Sequence, residues 1–292
     1  MARPALSANR TMDILDLFAA FPGRSFSMSE IMRAADINVA SCHAVLNALS
    51  SRGYLIRREK NYMLGSALIT VGQAAAQAQP LVSRAQAAAA ALNQELGMAV
   101  VLSTLAGDDI LALTSLPGAT GQFPGFRTGQ RMPLAPPAGV HFLAWASDDA
   151  IATWIARATT ENETEIAEWR RALALTRSRG FHVSLLSRST SEFAMLMRSM
   201  AVGSQPLEYK TQVSRLMNEH GWTLEQPETI EPDKLYDIGL IAAPIFDSAG
   251  RAFLSLGLGG FSDPVSGEKI SYLANRLMDT CLRTMREERM AE

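Results

Sequence analysis

Residues 27–64 constrain the fold of this chain more than any other stretch. Ser27 and Glu30 have the spacing of a capping box, in which the serine caps the first turn of a helix and the glutamate returns a hydrogen bond. After a short turn, a second helix begins with Asn38 or Ser41 as its N-cap. Two helices joined by so short a turn predict a helix-turn-helix unit.

The second of these helices has two distinct faces. Its apolar residues recur at the spacing that keeps one face in a core, namely Cys42, Val45, Leu46 and Leu49. Its other face is small and polar, with Ala40, Ser41, His43, Ala44 and Asn47. Gly53 then ends the helix, and two short strands, 54–57 and 62–64, predict a hairpin. This order of elements is typical of a winged helix-turn-helix, whose second helix enters the major groove of DNA.

The residues around this hairpin also follow the pattern of a known family. Residues 28–65 resemble the DNA-binding domain of the IclR family of bacterial transcriptional regulators, which has the pattern L..L...GYL.R followed by Y.LG. The matching residues are Leu46, Leu49, Gly53, Tyr54, Leu55, Arg57, Tyr62, Leu64 and Gly65. A second stretch, residues 239–260, is similar to the family's segment IAAPVFD..G.V.AALSVSGP.

The resemblance implies an α+β fold. An N-terminal winged helix-turn-helix would be joined by a linker helix to an effector-binding domain of the GAF or profilin type, an α/β domain with an antiparallel sheet. We place the DNA-binding domain at 1–65, the linker helix at 66–79 and the effector-binding domain at 80–292. The alanine-rich, nearly uncharged run before Pro80 supports the linker. Residues at about 186–235 do not follow the family pattern, and we interpret them as an insertion.

Composition and charge fit this division. Hydrophobic residues make up 48% of the chain and charged residues 19%, as in a globular protein. Residues 1–65 carry eight Lys/Arg against five Asp/Glu, and the remainder carries 19 against 24, so the N-terminal part is better suited to a polyanion. No apolar run approaches the roughly 18 residues of a membrane span, and the N-terminus lacks the apolar core of a signal peptide. We therefore expect a cytoplasmic protein that does not contact a membrane.

Neither a metal nor a cofactor is predicted. Cys42 and Cys281 lie 239 residues apart, which gives neither zinc nor disulfide spacing. His141, His182 and His220 show no ligand spacing with one another or with cysteine. The sequence also places no nucleophile or acid/base pair at a recognisable spacing, so we do not expect an enzyme.

Candidate DNA contacts lie on the polar face of the second helix and on the hairpin. Serine, asparagine and histidine can read base edges and alanine can meet a thymine methyl group, which points to Ala40, Ser41, His43 and Asn47. Basic hairpin residues would hold phosphates, and these are Arg57, Arg58 and Lys60. The family usually has a Lys or Arg in this helix, often at the position of Ala44, whereas residues 38–50 have none. An ordinary solvated helix face is the alternative interpretation.

Candidate effector contacts follow from the resemblance. Free N–H groups at a helix start would hold a carboxylate, at Ala138, Gly139 and Val140. The glycine-rich strand would face them with Leu256, Gly257, Leu258 and Gly259. The loop before the helix would add Phe126, Arg127, Arg131 and Met132, with either arginine pairing with an acid. Ordinary core and surface positions are the alternative for each of these residues.

The two strand glycines bear on the nature of the effector. Some family members have effector-binding serines at the positions of Gly257 and Gly259. The loss of both hydroxyls indicates fewer donors and more room, which favours a bulkier and less polar acid, with aromatic acids as one candidate class.

These features together favour a ligand-responsive transcriptional regulator. A homodimer or homotetramer would bind a palindromic operator in double-stranded DNA, and a small organic acid in the C-terminal domain would control it. The uncharged second helix motivates an alternative, a sensor or adaptor with a weakened DNA-binding head that acts through protein contacts. An enzyme built on the C-terminal domain has the least support.

Overall fold

A computed structural model describes residues 5–21, 23–119, 126–158, 162–185 and 226–289. The described residues divide into two units, which we call the head, ending at Gln79, and the body, beginning at Pro80. Most of the predicted insertion at 186–235 lies outside the described residues, so that interpretation stays a prediction.

The head consists of a helical core with a small sheet. Its elements in chain order are α1 Leu6–Ala20, β1 Phe26–Ser27, α2 Met28–Ala34, α3 Val39–Ser51, β2 Leu55–Arg58, β3 Asn61–Leu64 and α4 Ala67–Ala78. The strands form an antiparallel sheet in the order β1-β3-β2. The helix-turn-helix and the hairpin, called the wing, are therefore confirmed. The sequence pattern missed β1, which has only two residues and is fixed by pairing Phe26 with Tyr62.

Helix capping in the head follows the local sequence. The backbone N–H of Ser27 donates to Oε2 of Glu30 at 2.8 Å and the Ser27 hydroxyl accepts from the N–H of Glu30, so the predicted capping box is present. Of the two candidate N-caps of α3, Asn38 is the one used, because its side chain accepts from the N–H of Ser41 at 2.9 Å.

The predicted apolar stripe of α3 is buried in the head. It packs with residues of α1, α2 and the sheet in one cluster, which includes Ile14, Leu17, Phe18, Phe26, Ile31, Cys42, Leu46, Leu49, Leu55 and Tyr62. Because α3 turns its apolar stripe toward this cluster, its polar face is the one directed away from the core.

The body is built on a six-stranded antiparallel sheet. Its elements in chain order are α5 Pro80–Leu96, β4 Ala99–Ala106, β5 Asp109–Leu116, β6 Arg131–Pro133, α6 Val140–Leu143, α7 Asp148–Ala156, α8 Glu163–Arg179, β7 His182–Leu185, β8 Leu235–Tyr236, β9 Ile238–Phe246, β10 Ala252–Gly259, β11 Val265–Ser266 and α9 Gly267–Arg289. The strand order is β6-β5-β4-β10-β9-β7, and β8 and β11 form a separate pair. The predicted α+β class with an antiparallel sheet is confirmed.

The two faces of this sheet differ in what covers them. Helices α5 and α9 pack on one face, called the core face, in a cluster that includes Leu81, Ala85, Leu92, Leu102, Ile241, Leu254, Leu256, Leu258, Ile270 and Leu277. Helix α6 packs against β9 and β10 on the opposite face, called the α6 face. Successive strand residues point to opposite faces, so the pairing register assigns each side chain to one of them.

Candidate DNA-binding and effector sites

The polar face of α3 is available for contact. Ala40, His43 and Asn47 are exposed and Ser41 is half-buried. Nδ2 of Asn47 lies 3.2 Å from Nδ1 of His43, one helical turn away, so these two side chains form a polar pair on the surface. This face carries no Lys or Arg of its own.

The wing supplies positive charge to the head. Arg57, Arg58 and Lys60 are all exposed on β2 and the turn that follows. Nε of Arg57 donates to the backbone oxygen of Glu59 at 3.1 Å, and its guanidinium lies 5.8 Å from the ring centroid of Tyr62. These contacts hold Arg57 against the wing while leaving further N–H donors free for phosphate oxygens.

A further cation near α3 was missed by the sequence reasoning. Nη1 of Arg10, on α1, donates to Oγ of Ser41 at 3.1 Å, which places a guanidinium beside the first turn of α3. The available signal was the position of Arg10 four residues before Ile14 and seven before Leu17, which puts a cation at the N-terminal end of the buried face of α1. The fold thus provides, from another helix, a charge that α3 lacks.

The predicted effector residues do not share one surface. In the register of β10, Gly257 pairs with Val101 and Ala242 on the α6 face, whereas Leu256 and Leu258 lie fully buried on the core face. The prediction that all four residues of 256–259 line one pocket is thus corrected for the two leucines. Strand alternation separates their side chains from the two glycines.

The two predicted effector contacts on β6, Arg131 and Met132, are likewise divided between the two faces of the sheet. Arg131 pairs with Leu111, Leu111 pairs with Thr104, and Thr104 pairs with Leu254 of the core face. Paired residues point to the same side of a sheet, so Arg131 is on the core face. Its Nη1 lies 3.7 Å from a carboxylate oxygen of Asp109. Met132, the next residue, is on the α6 face and remains a candidate contact.

The space at Gly257 is not empty. A Cβ built at Gly257 would lie 2.9 Å from Cδ1 of Leu240 and 3.0 Å from Cγ1 of Val101. Two neighbouring side chains therefore fill the position where a larger residue would project. The inference that glycine here leaves more room for the effector does not hold at this residue.

The predicted helix start is a short, tightly packed turn. Helix α6 has four residues, preceded by Gly139 at φ +95, where a Cβ would lie 2.4 Å from Cδ1 of Leu134. Nε1 of Trp154 donates to the oxygen of Ala138 at 2.8 Å, which fixes the turn against α7. Ala138, Gly139 and Val140 therefore lie on the α6 face, as do the strand glycines.

Two other predicted contacts lie next to undescribed residues. Phe126 is buried, and Arg127 is half-exposed with its backbone N–H donating to Oε1 of Gln130 at 2.6 Å. Their role in effector binding stays a prediction.

Two buried histidines on the α6 face were not among the predicted contacts. His141, on α6, and His182, on β7, have ring centroids 6.1 Å apart. Burial lowers the pKa of His141 to about 4; burial first, and then the neighbouring His141, lowers the pKa of His182 to about 3. Both rings are therefore neutral at physiological pH. Their sequence spacing gave no signal, because only the pairing of β7 beside β9 brings His182 to α6.

The described ranges hold neither a metal centre nor a membrane span. Within them, no group of three or more His, Cys, Asp or Glu side chains is placed to hold a metal ion. None of the described helices combines the length and apolar character needed to cross a bilayer.

Comparison with known proteins identifies the head. Residues 7–59 match the model of the IclR helix-turn-helix domain. None of the curated proteins is significantly similar to the chain in sequence.

Solved structures resemble the chain over nearly its whole length. An IclR transcriptional regulator from Alicyclobacillus acidocaldarius is 19% identical, with a TM-score of 0.68, 97% of this chain covered and 99% of that one. The Thermotoga maritima IclR is 18% identical, with a TM-score of 0.58 and the same coverage. An IclR homologue from Microbacterium hydrocarbonoxydans, complexed with 4-hydroxybenzoate, is 17% identical, with a TM-score of 0.63 and coverage of 96% and 99%.

A winged helix-turn-helix head, followed in the chain by a body with an antiparallel sheet, is the fold that this protein shares with the solved regulators. Within that fold, residues 7–59 are an IclR helix-turn-helix domain, and the chain as a whole has the fold of the IclR transcriptional regulators. The resemblance read from the sequence is confirmed.

Proposed function

We propose that this protein is a ligand-responsive transcriptional regulator that binds a palindromic operator as a homo-oligomer. The observation that carries the proposal is the head, an IclR helix-turn-helix domain whose exposed α3 face is accompanied by a basic wing. Exposed arginine and lysine side chains would neutralise phosphates, and the polar face of α3 would read bases. Such a protein acts where the chromosome is, in the cytoplasm.

The test is a gel-shift titration of the full-length protein with DNA from upstream of its own gene. We expect a retained complex at low salt, with the logarithm of affinity falling linearly with the logarithm of salt concentration. A scrambled fragment of equal length is the control for specificity. Absence of any complex with the upstream fragment at low salt would contradict the proposal.

We assign the body the role of binding a small organic acid. One support is the similar structure of the IclR homologue that was solved with 4-hydroxybenzoate. The other is the α6 face, where Gly257 and helix α6 lie together with buried polar groups. An acid that weakens operator binding must itself bind more weakly to the DNA-bound protein, by the same factor. This reciprocity can be measured by titrating the acid with and without operator.

Arg10 is expected to contribute to operator affinity. Replacing it by alanine removes the guanidinium beside α3, so affinity should fall about tenfold and the salt slope should become shallower by about one for each head. Arg10→Lys keeps the charge and should restore most of the salt slope. Because Arg10 is half-exposed, the melting temperature should change little. Unchanged affinity in Arg10→Ala would show that Arg10 serves only to hold Ser41.

Helix α4 is expected to pair with a second copy of the chain. It has 12 residues and none of them is buried, while Ile69 and Val71 are 62% and 51% exposed. A helix of this length is marginally stable in water unless it packs against something. Ile69→Asp with Val71→Asp should therefore reduce the molar mass measured by light scattering, whereas Thr70→Asp on the same helix should not. The proposal fails for α4 if the double variant keeps the wild-type mass.

A second candidate function rests on the uncharged α3. A sensor or adaptor that acts through protein contacts would not need Arg57 or Arg58, so their replacement by alanine would leave its cellular output unchanged. A regulator that binds an operator would lose its output in the same variant.

A further inference from the structure

The α6 face carries a chain of buried polar side chains that the head's function does not use. Nδ1 of His182 lies 2.8 Å from Nε2 of Gln226, and the same Nε2 donates to Oγ1 of Thr176 at 3.4 Å. Thr176 is on α8, and the ring of His141 on α6 completes the chain beside His182. Three helices or strands and one connecting segment thus bring these four side chains together.

This chain of side chains has unmet hydrogen-bonding capacity. Oε1 of Gln226 is buried and has no hydrogen-bond partner within the described ranges. The side-chain amide of Gln226 has one donor end, the NH2 group, and one acceptor end, the oxygen. Only one end faces His182, so the other end has no hydrogen-bond partner in this part of the chain whichever way the amide is oriented. The His141 ring is 8% exposed and packs against the rings of Phe142 and His182. Buried polar groups in folded proteins are nearly always paired, so the unmet end of the Gln226 amide calls for a partner.

Position links the cluster to the proposed effector surface. His182 pairs with Ala242 on β9, and Ala242 pairs with Gly257 on β10, in one row across the sheet. On this face Ser103 and Ser255 are also buried, whereas the strand residues on the core face are mostly leucine and isoleucine, with Thr104 as a buried polar residue. The buried polar side chains therefore lie on the same face as the candidate effector contacts.

The chemistry of the cluster selects the group that it can hold. A neutral imidazole offers one donor and one acceptor, and the unmet amide end adds another. A hydroxyl group can also donate one hydrogen bond and accept another, so it can pair with an imidazole and with the unmet amide end together. A carboxylate can only accept, and it loses much of its solvation when it is buried among neutral groups. Arg179, whose charge helps to lower the pKa of His182, donates through Nη2 to the backbone oxygens of Pro227 and Glu228, and its buried Nη1 has no hydrogen-bond partner among the described residues.

We propose that His141, His182 and Gln226 form a subsite on the α6 face that binds a phenolic or alcoholic hydroxyl group of the effector. The inference rests on the proposed function, since it assigns the chemistry of one end of that effector. It predicts a hydroxy acid, with the hydroxyl at this cluster and the carboxylate elsewhere on the site.

The test uses the full-length protein and matched pairs of acids in titration calorimetry. The pairs are 4-hydroxybenzoate with benzoate, 4-hydroxyphenylacetate with phenylacetate, and 3-hydroxybutyrate with butyrate. In at least one pair the hydroxylated acid should bind about tenfold more tightly than its partner. His141→Leu and His182→Leu should each abolish this preference without weakening the binding of the acid that lacks the hydroxyl, and His141→Gln should retain part of it.

The control variant is Thr284→Val, which removes a buried hydroxyl from α9 on the core face and should leave the preference unchanged. The inference is overturned if wild type shows no preference in any pair, or if the preference survives both leucine variants. Acids that bind without a preference would leave the proposed function standing. If no acid binds, both the proposed effector role of the body and this inference are contradicted. A gel shift that still retains the operator would then show that the proposed DNA-binding role stands without them.

Discussion

At about pH 5 the body of this protein is expected to be less stable than at pH 7 by about 4 kcal/mol, with about 2 kcal/mol from each of His141 and His182. Burial holds the pKa of His141 at about 4 and that of His182 at about 3, against an ordinary value of 6.5. The unfolded chain takes up protons below about pH 6.5, whereas the folded body does not until the pH approaches the lowered values. The contribution of these two neutral rings to the free energy of unfolding is therefore fully present above about pH 6.5 and is lost as the pH falls toward the lowered pKa values.

Urea unfolding followed by tryptophan fluorescence measures this effect, because Trp145, Trp154 and Trp169 lie in the described part of the body and the head has no tryptophan. The pH dependence should be nearly absent in a His141→Leu, His182→Leu double variant and unchanged in His43→Leu, which alters an exposed histidine of the head. Equal stability of wild type at both pH values would contradict the assignment of two neutral buried rings.

Replacing Arg57 and Arg58 together by alanine is expected to weaken operator binding roughly a hundredfold at about 0.1 M salt. Both side chains are exposed on the wing, and α3 has no cation that could take over their role at the phosphates. The salt slope should become shallower by about 0.9 for each phosphate that is no longer neutralised, and a dimer would carry the change on both of its wings. Fluorescence anisotropy with labelled upstream DNA over a series of salt concentrations measures both quantities.

The matched control removes two exposed arginines from the body, Arg283 and Arg286 on α9. It changes the net charge equally but should leave affinity and slope close to wild type. Equal losses of affinity in both double variants would mean that overall charge, and not the wing, governs binding. Unchanged affinity in the wing variant would favour the sensor or adaptor function.

Much of the head could be predicted from its sequence because its signals are local. The capping pair Ser27 and Glu30, the helical stripe from Cys42 to Leu49 and the glycine at 53 each act within a few residues of themselves. The wing and the exposed polar face of α3 follow from the same local patterns. For the body, the resemblance implied an antiparallel sheet, and the similar segment 239–260 forms most of its strands β9 and β10.

What the sequence determined by itself was the set of elements and the class of the head, because capping, periodicity and turn residues act over short distances. Only the tertiary structure decided which side chains meet. Arg10 reaches Ser41 from a different helix, and the register of β10 and β6 divides the candidate effector residues between two faces. His141 and His182 meet because β7 pairs beside β9. Such contacts depend on strand register and helix packing between residues far apart in the chain, which no local pattern specifies.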